Sequence, residues 1–220
     1  MALSKFNYNS FDLTTAASKG LAFNSSANGF ETSTGGSMVL IKTLTASSSS
    51  TLSFVDGSSD VVLDNTYPVY MFKFINIHPA TNTTYLTFQG STDTGSSYGV
   101  TITSTAFYAR LAEGDSGAEL DYNGSADLAQ STSFQRISQG VGNGNDESCS
   151  GKLFLFNPSS TTFVKHFTAR MPTYQASDYI YDQYTAGYLN TTSAIDAIQF
   201  KMSSGNIDAG TIKLYGIKDS

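Results

Sequence analysis

The amino-acid sequence predicts an all-β fold, an antiparallel, jelly-roll-like β-sandwich preceded by an extended N-terminal arm. Short runs in which apolar and polar residues alternate recur along the chain, separated by segments rich in Gly, Ser, Asn and Asp. This spacing is typical of the strands of a sandwich. Tyr (13) and Phe (15) are abundant, and both residue types favour pleated, half-buried surfaces. Two packed sheets are expected because a single open sheet would leave one apolar face in water.

Composition limits the classes of function. A chain of 220 residues is long enough for one large β domain, and its net charge of −6 argues against a nucleic-acid partner. A single Cys excludes an intramolecular disulfide, and two His exclude a His-rich metal site. No stretch approaches the roughly 20 apolar residues of a membrane helix. The N-terminus lacks a signal-peptide pattern, so we expect a protein that is not secreted and has no membrane partner.

Residues 1–37 are predicted to form the arm and residues 38–220 the sandwich domain. The arm shows no sustained period of either helix or strand, yet it carries more aromatic residues than a solvated linker would normally hold. We interpret it as a segment that becomes ordered against a partner, and a flexible tail is the alternative. The predicted partner-binding residues are Phe6, Tyr8, Phe11, Phe23 and Phe30.

The sandwich is predicted to begin with a hairpin of strands at 38–44 and 50–55. The segment 67–108 then reads as three successive strands: an apolar and aromatic run at 69–77, an alternating run at 84–89, and a third strand that begins near Val100. Strands joined by so few residues are expected to pair as antiparallel neighbours, since a parallel return needs a long crossover. The centre of the protein is therefore predicted to be a β-meander.

Residues 112–150 are predicted to form a long irregular insertion, because Gly, Asp, Asn and Ser dominate there and apolar residues are sparse. Further strands are expected at 152–156, 162–171, 179–189, 194–202 and 211–217. Alternation along the strands predicts one face buried between the sheets. The predicted core residues are Phe72, Phe74, Leu86, Phe88, Ile102, Phe154, Phe200 and Leu214.

Candidate catalytic residues fail on their context. The segment 95–99, Gly-Ser-Ser-Tyr-Gly, matches a nucleophile elbow around Ser97, with His166 as a nominal base. That elbow needs a strand-to-helix turn, whereas a strand follows here and a hairpin loop is expected. His78 precedes a proline at a strand end, and Cys149 has no basic neighbour to lower its pKa. We therefore expect no catalytic residue and no enzyme activity.

Carboxylate and amide groups gather in the insertion without a ligand spacing that identifies a metal site. Two sets have the chemistry of calcium ligands or paired carboxylates: Glu113, Asp115, Glu119 and Asp121, and Asn143, Asn145, Asp146 and Glu147. Neither matches an EF-hand loop. The segment 56–60 reads as a turn, and the tyrosines of 174–188 read as sheet surface, although they also suit stacking on sugar rings. We expect no metal and no cofactor.

Three segments resemble a module that recurs in virion structural proteins of tailed bacteriophages. They are MVLIKTLTASSSSTLSF at 38–54, YPVYMFKFINIHPATNTTYLTFQGSTDTGSSYGVTITS at 67–104 and IDAIQFKMSSGNIDAGTIKLYGIK at 195–218. The resemblance covers most of residues 38–218 and excludes the arm. It implies a structural β-sandwich, and the family offers no catalytic residues to carry over.

The resemblance implies a non-enzymatic virion component, most simply a capsid decoration or cement protein that stabilises subunit junctions. The alternative is a receptor- or carbohydrate-binding module of a tail fibre or head appendage, with a host-surface glycan as its ligand. The expected partners are the major capsid protein or other virion proteins and further copies of the chain, for example as a trimer. The expected location is the virion, on the capsid surface or on the tail or its fibre, and the expected site of synthesis is the host cytoplasm.

Overall fold

The computed structural model describes residues 20–23, 30–33 and 36–218, and every regular element in that part of the chain is a β-strand. The first seven strands are β1 Gly20–Phe23, β2 Phe30–Ser33, β3 Met38–Thr45, β4 Leu52–Val55, β5 Val69–Pro79, β6 Leu86–Ser91 and β7 Ile102–Ala112. The remaining strands are β8 Glu119–Tyr122, β9 Gln135–Arg136, β10 Cys149–Phe156, β11 Lys165–Gln175, β12 Tyr179–Leu189, β13 Ala197–Met202 and β14 Ile207–Ile217.

The chain divides into two compact units, Met1–Met38 and Val39–Ser220. In the first unit, β1 and β2 pair as an antiparallel hairpin in which Phe23 lies opposite Phe30. The sequence pattern predicted no strand there. The other predicted partner-binding residues, Phe6, Tyr8 and Phe11, lie outside the described residues, and the extended arm stays a prediction.

The second unit confirms the all-β sandwich. One antiparallel sheet has eight strands in the order β3-β14-β5-β10-β11-β12-β7-β8, and the other has four in the order β4-β13-β6-β9. The two sheets enclose the apolar core. The eight-stranded sheet has twice as many strands, so it extends beyond the four-stranded sheet.

The predicted meander of 67–108 is wrong. Its three strands, β5, β6 and β7, are consecutive along the chain, but β5 and β7 belong to the eight-stranded sheet and β6 to the four-stranded one. The predicted first hairpin is wrong for the same reason, because β3 and β4 lie in different sheets. Each short connection crosses from one sheet to the other. Alternation shows that one face of a strand is buried, but it does not show which sheet the strand joins.

Phenylalanine rings from both sheets form the centre of the core. The ring of Phe200 in β13 lies 5.1 Å from the ring of Phe72 and 5.1 Å from that of Phe74, both in β5, with the rings edge to face. Aromatic pairs prefer this arrangement, which adds to the gain from burial. Seven of the eight predicted core residues are at most 1% exposed: Phe72, Phe74, Leu86, Phe88, Ile102, Phe200 and Leu214.

Phe154 is the incorrect prediction among the core residues. In β10, Leu153 and Leu155 point into the core, and Phe154 lies on the opposite face with its ring stacked near that of Phe156. The run Leu-Phe-Leu-Phe is apolar on both faces, so alternation alone does not decide which pair is buried.

The predicted irregular insertion is partly ordered as strands. β8 extends the edge of the eight-stranded sheet, and β9 extends the edge of the four-stranded sheet. Several of its buried side chains are polar, and Gln135 donates from Nε2 to the carbonyl oxygens of Ala126 (2.7 Å) and Arg136 (2.8 Å). Such hydrogen bonds compensate for the burial of polar groups.

Three neighbouring strands of the wide sheet are bulged near one level. Asn76 in β5 has a positive φ of 49°, and the pairing register shifts beside it at Gly151 in β10 and at Gly210 in β14. A Cβ atom at Gly151 would clash with the carbonyl oxygen of Arg170, so only glycine allows this close approach. The bulges bend the sheet and fix its register.

Candidate binding face of the eight-stranded sheet

The outer face of the eight-stranded sheet, which points away from the four-stranded sheet, carries an apolar patch. Among the described residues nine large hydrophobic side chains are exposed, and five of them lie together on β7, β8 and β12: Phe107, Leu111, Leu120, Tyr122 and Ile180. Cross-strand pairing places Ile180 opposite Leu111 and Phe107 opposite Tyr122. Most exposed apolar residues on a soluble surface are scattered, so a cluster of this kind indicates a contact site.

Local alternation explains why these side chains face outward. In β7, Ile102, Ala106 and Ala112 are buried on the inner face, and Phe107 and Leu111 have the opposite parity. In β8, Leu120 lies opposite Ala109 of β7 and is 73% exposed. The same pleat that builds the core therefore projects the apolar patch outward.

A second feature of the outer face is a row of four cations on adjacent strands, which we call the cationic row. It consists of Lys213 in β14, Lys73 in β5, Lys152 in β10 and Arg170 in β11. Each member lies directly opposite the next, so Lys73 faces a lysine on both sides. Like charges placed opposite each other destabilise a sheet.

Only one member of the cationic row has an acidic partner. Arg170 forms a salt bridge with Asp182 at 2.6 Å. None of the described carboxylates forms a salt bridge with Lys73, Lys152 or Lys213. The three lysines therefore leave a local positive charge on a chain whose net charge is −6.

The cationic row borders an open depression of about 760 Å³ in the sheet surface. Lys73, Lys152, Arg170 and Pro172 line it, and Gly151 leaves its floor without a side chain. The bulge at Gly151 therefore creates a concave surface beside three of the four cations.

Aromatic side chains continue the row toward the apolar patch. The guanidinium of Arg170 lies 5.0 Å from the ring centre of Tyr184, and the rings of Tyr184 and Phe107 stack at 4.9 Å with their planes 2° apart. Each face of the Tyr184 ring is thus covered by a neighbour. This arrangement stabilises the outer face of the sheet and leaves Tyr184 no free face for stacking on a ligand ring.

One end of the sandwich is acidic. Three loops meet around Tyr174, which donates its hydroxyl to Asp178 at 3.3 Å. Burial, together with the charges of Glu113, Asp178 and Asp146, raises the pKa of Tyr174 to about 12. The three carboxylate residues are exposed, so this acidic end faces solvent.

The structure does not bring the nominal catalytic pair together in the described part of the chain. Ser97 donates from its hydroxyl to Asp93 at 2.6 Å, and Asp93 also accepts from Ser91. These hydrogen bonds lower the pKa of Asp93 to about 2 and hold the 92–99 loop. His166 lies on the outer face of β11, with its ring 6.1 Å from that of Tyr188.

His78 and Cys149 have structural surroundings. Nδ1 of His78 lies 2.7 Å from the carbonyl oxygen of Glu147, which ties the end of β5 to the loop before β10. Cys149 is buried between Ile77 and Thr173 on the neighbouring strands, and burial raises the pKa of its thiol to about 12. A thiol with a raised pKa is a poor nucleophile at neutral pH.

The carboxylates considered as metal ligands make local contacts. Glu119 pairs with Arg110 at 2.5 Å, Asp121 accepts from the backbone N–H of Tyr122, and Glu147 accepts from that of Gly144. In the predicted turn at 56–60, Asp56 accepts from the backbone N–H of Leu63 at 2.8 Å. Within the described ranges, no three or more His, Cys, Asp or Glu residues are grouped so that they could hold a metal ion.

Sequence reasoning did not find the cationic row. Alternation places Lys73 and Lys213 on outward-facing positions, which is a signal available from the sequence. Their alignment with Lys152 and Arg170 depends on a strand order that the sequence does not reveal. The apolar patch was missed because β8 was predicted as part of an irregular insertion.

The fold and this face define a class: an all-β sandwich whose wider sheet presents an apolar patch and a cationic row on its outer face. Comparison with protein-family models, with curated proteins and with solved structures finds no match to the chain. In the part of the chain that is described, no helix has the length and apolar character needed to cross a membrane.

Proposed function

We propose that the chain is a non-enzymatic structural protein of a tailed-bacteriophage virion, a capsid decoration or cement protein that stabilises subunit junctions. The apolar patch is the observation that carries this proposal, because it offers a broad protein-contact surface on a rigid sheet. The resemblance of 38–54, 67–104 and 195–218 to phage virion modules supports it independently. The protein is then made in the host cytoplasm and incorporated into the particle.

We further infer that the sandwich is a jelly roll with an enlarged sheet. The four-stranded sheet, in the order β4-β13-β6-β9, packs on part of the eight-stranded one, with Phe200 against Phe72 of β5 and Phe88 against Phe167 of β11. Eight of the eleven connections from β3 to β14 cross from one sheet to the other, and the three that do not are β7–β8, β10–β11 and β11–β12. This alternation supports a pair of Greek keys, the arrangement of jelly rolls in viral capsid proteins. The strands β12, β7 and β8, at one edge of the wider sheet, carry the apolar patch.

Attachment to the particle works through surface burial. Removing apolar surface from water contributes about 25 cal/mol per Å². A protein that binds only the assembled particle stabilises it by mass action. In this proposal the predicted arm, with its aromatic residues, adds a second contact by docking on a neighbouring virion subunit.

The carbohydrate-binding alternative has less support from the geometry. Its sequence signals are loop Asp and Asn residues and exposed tyrosines, and one of these tyrosines, Tyr184, has its ring between Arg170 and Phe107. A stacking platform needs a free ring face. We therefore treat glycan binding as a competing outcome of the experiment below.

The test compares two equally exposed apolar residues. Leu120, inside the apolar patch, is 73% exposed, and Phe163, in the β10–β11 loop outside it, is 71% exposed. We expect Leu120→Asp to weaken attachment to purified particles that lack the chain by about tenfold or more, because a charge in an apolar contact loses its hydration. Phe163→Asp should bind like the wild type. Co-sedimentation with the particles measures both.

Two results would contradict the proposal. One is the absence of the chain from purified virions by mass spectrometry. The other is equal attachment by both variants, which would remove the apolar patch from the contact. Retention on a glycan array with no binding to particles would favour the carbohydrate-binding alternative instead.

A further inference from the structure

We propose that the cationic row binds the acidic end of a second copy of this chain, so that copies associate head to tail. The cationic row is Lys213, Lys73, Lys152 and Arg170, and the acidic end is formed by the loops that carry Glu113, Asp146 and Asp178. This inference does not depend on the assignment to a virion.

The first argument is the absence of local compensation. Lys73, Lys152 and Lys213 form no salt bridge with any described carboxylate, and Lys73 lies between two other lysines. The chain has 18 Asp and Glu residues against 12 Lys and Arg, so acidic groups were available to neutralise the row. Three lysines without an acidic partner on an acidic protein are suited to an acidic binding partner.

The second argument is charge complementarity within the same molecule. Apart from the four cations of the row, the sequence contains 8 Lys and Arg against 18 Asp and Glu, so acidic groups outnumber basic ones by more than two to one. The acidic end concentrates carboxylates from three loops around Tyr174. Any second copy therefore presents the chemistry that the row would attract.

The third argument is position. The acidic end lies at the Gln175 end of β11, whereas Arg170 lies in the middle of the same strand. Five residues of strand separate them by about 17 Å. One chain is not able to join its own two surfaces, and a contact between different surfaces of two copies is heterologous, which builds rings or filaments.

The shape of the site agrees with a projecting protein loop. The open depression beside Lys73, Lys152 and Arg170 is concave, and at the acidic end the loop 113–118 and the residues Asn143, Asn145 and Asp146 are exposed. A flexible polyanionic ligand that contains rings would gain affinity if its rings stacked on an aromatic side chain. Both faces of the Tyr184 ring beside the row are covered, so that gain is not offered there. The geometry therefore favours a loop that contributes carboxylates.

The experiment is a charge exchange followed by sedimentation velocity on the full chain. We expect the wild type to associate at low salt and to dissociate near 1 M salt, where the screening length is about 3 Å. Lys73→Glu and Asp146→Lys should each raise the dissociation constant about tenfold or more, as buried charge pairs at interfaces do. The double variant should recover most of the lost affinity. Lys201→Glu, on β13 in the other sheet, is the charge-reversal control; it removes the contact of Lys201 Nζ with the ring of Phe134 (3.9 Å to the ring centre) and should associate normally.

Each remaining outcome overturns the proposal. A strict monomer at every concentration and salt would do so, and so would association that Lys73→Glu leaves unchanged. Association lost in Leu120→Asp but kept in Lys73→Glu would assign self-contact to the apolar patch. Binding of a sulfated polysaccharide that requires Lys73, without self-association, would give the cationic row a different ligand.

Discussion

The cationic row reduces the stability of the strands that carry it. Lys73 lies directly opposite Lys152 on one side and Lys213 on the other, and no carboxylate among the described residues bridges them. Like charges directly opposite each other destabilise a sheet. A negatively charged or uncharged side chain in place of Lys73 would therefore make the folded chain more stable. The row therefore indicates a requirement other than folding.

This reasoning gives a prediction for the isolated protein. Lys73→Glu should raise the free energy of unfolding by roughly 0.2–1 kcal/mol for each of its two cross-strand pairs, because repulsion becomes attraction. Urea denaturation at low salt measures the change, and high salt should reduce it. Lys201→Glu, which has no lysine opposite it in β6 or β4, should not show this gain. A lower stability for Lys73→Glu would mean that the row helps the fold.

At the scale of the strand, the two faces of β10 have different roles. Leu153 and Leu155 pack into the core, whereas Phe154 and Phe156 lie on the outer face beside the cationic row. The strand was recognisable from its sequence, but its orientation was not, because both faces are apolar. The correct orientation follows only from its pairing with β5.

The two phenylalanines Phe200 and Phe154 test that orientation. Phe200→Ala should lower the free energy of unfolding by about 3–5 kcal/mol, since Phe200 is fully buried and its ring contacts those of Phe72 and Phe74. Phe154→Ala should cost clearly less, because its ring is half-buried on the outer face. Thermal and chemical denaturation compare the two. Equal losses would contradict the register of β10.

The sequence predicts an element well where its apolar and polar residues alternate, and poorly where buried residues are polar. In β6, clean alternation revealed the strand and its core residues Leu86 and Phe88, but not that the opposite face, with Gln89, is buried as well. The sheet that each strand joins did not follow, because a short connection between strands fits a hairpin or a crossing between sheets. The insertion was misjudged because Gln135 and Ser138 are buried through hydrogen bonds, and their polarity resembles that of a loop.

The candidate site was less predictable than the fold. The cationic row collects one residue from each of four strands that are distant in sequence, so no local pattern contains it. The apolar patch likewise needs β8 to be placed beside β7. Both surfaces result from strand order, which long-range packing determines.

At the scale of the whole molecule, the sandwich is closed by its last strand. β14 pairs with β5 and lies between it and β3, so this strand joins the edge strand β3 to the rest of the wide sheet. Contacts between residues so far apart in sequence form late and cooperatively. The second unit is therefore expected to fold as a whole or not at all.

Two truncations examine this expectation. Removal of the chain from Ile207 onward should abolish cooperative unfolding, because it exposes the edges of β3 and β5 and removes the buried side chains of Ile207, Ile212 and Leu214. Removal of residues 1–37 should leave the sandwich folded with nearly the same thermal midpoint. Circular dichroism during heating measures both. A folded protein without β14 would contradict the proposed closure.

The burial of Cys149 has a consequence for chains that are crowded together. Identical molecules held side by side in air tend to become cross-linked when each offers an accessible thiolate. Here the only sulfhydryl in the sequence is 1% exposed, and its pKa of about 12 keeps it protonated. In assemblies of the chain, oxidation would therefore form no disulfide between copies, and any association between them would remain reversible.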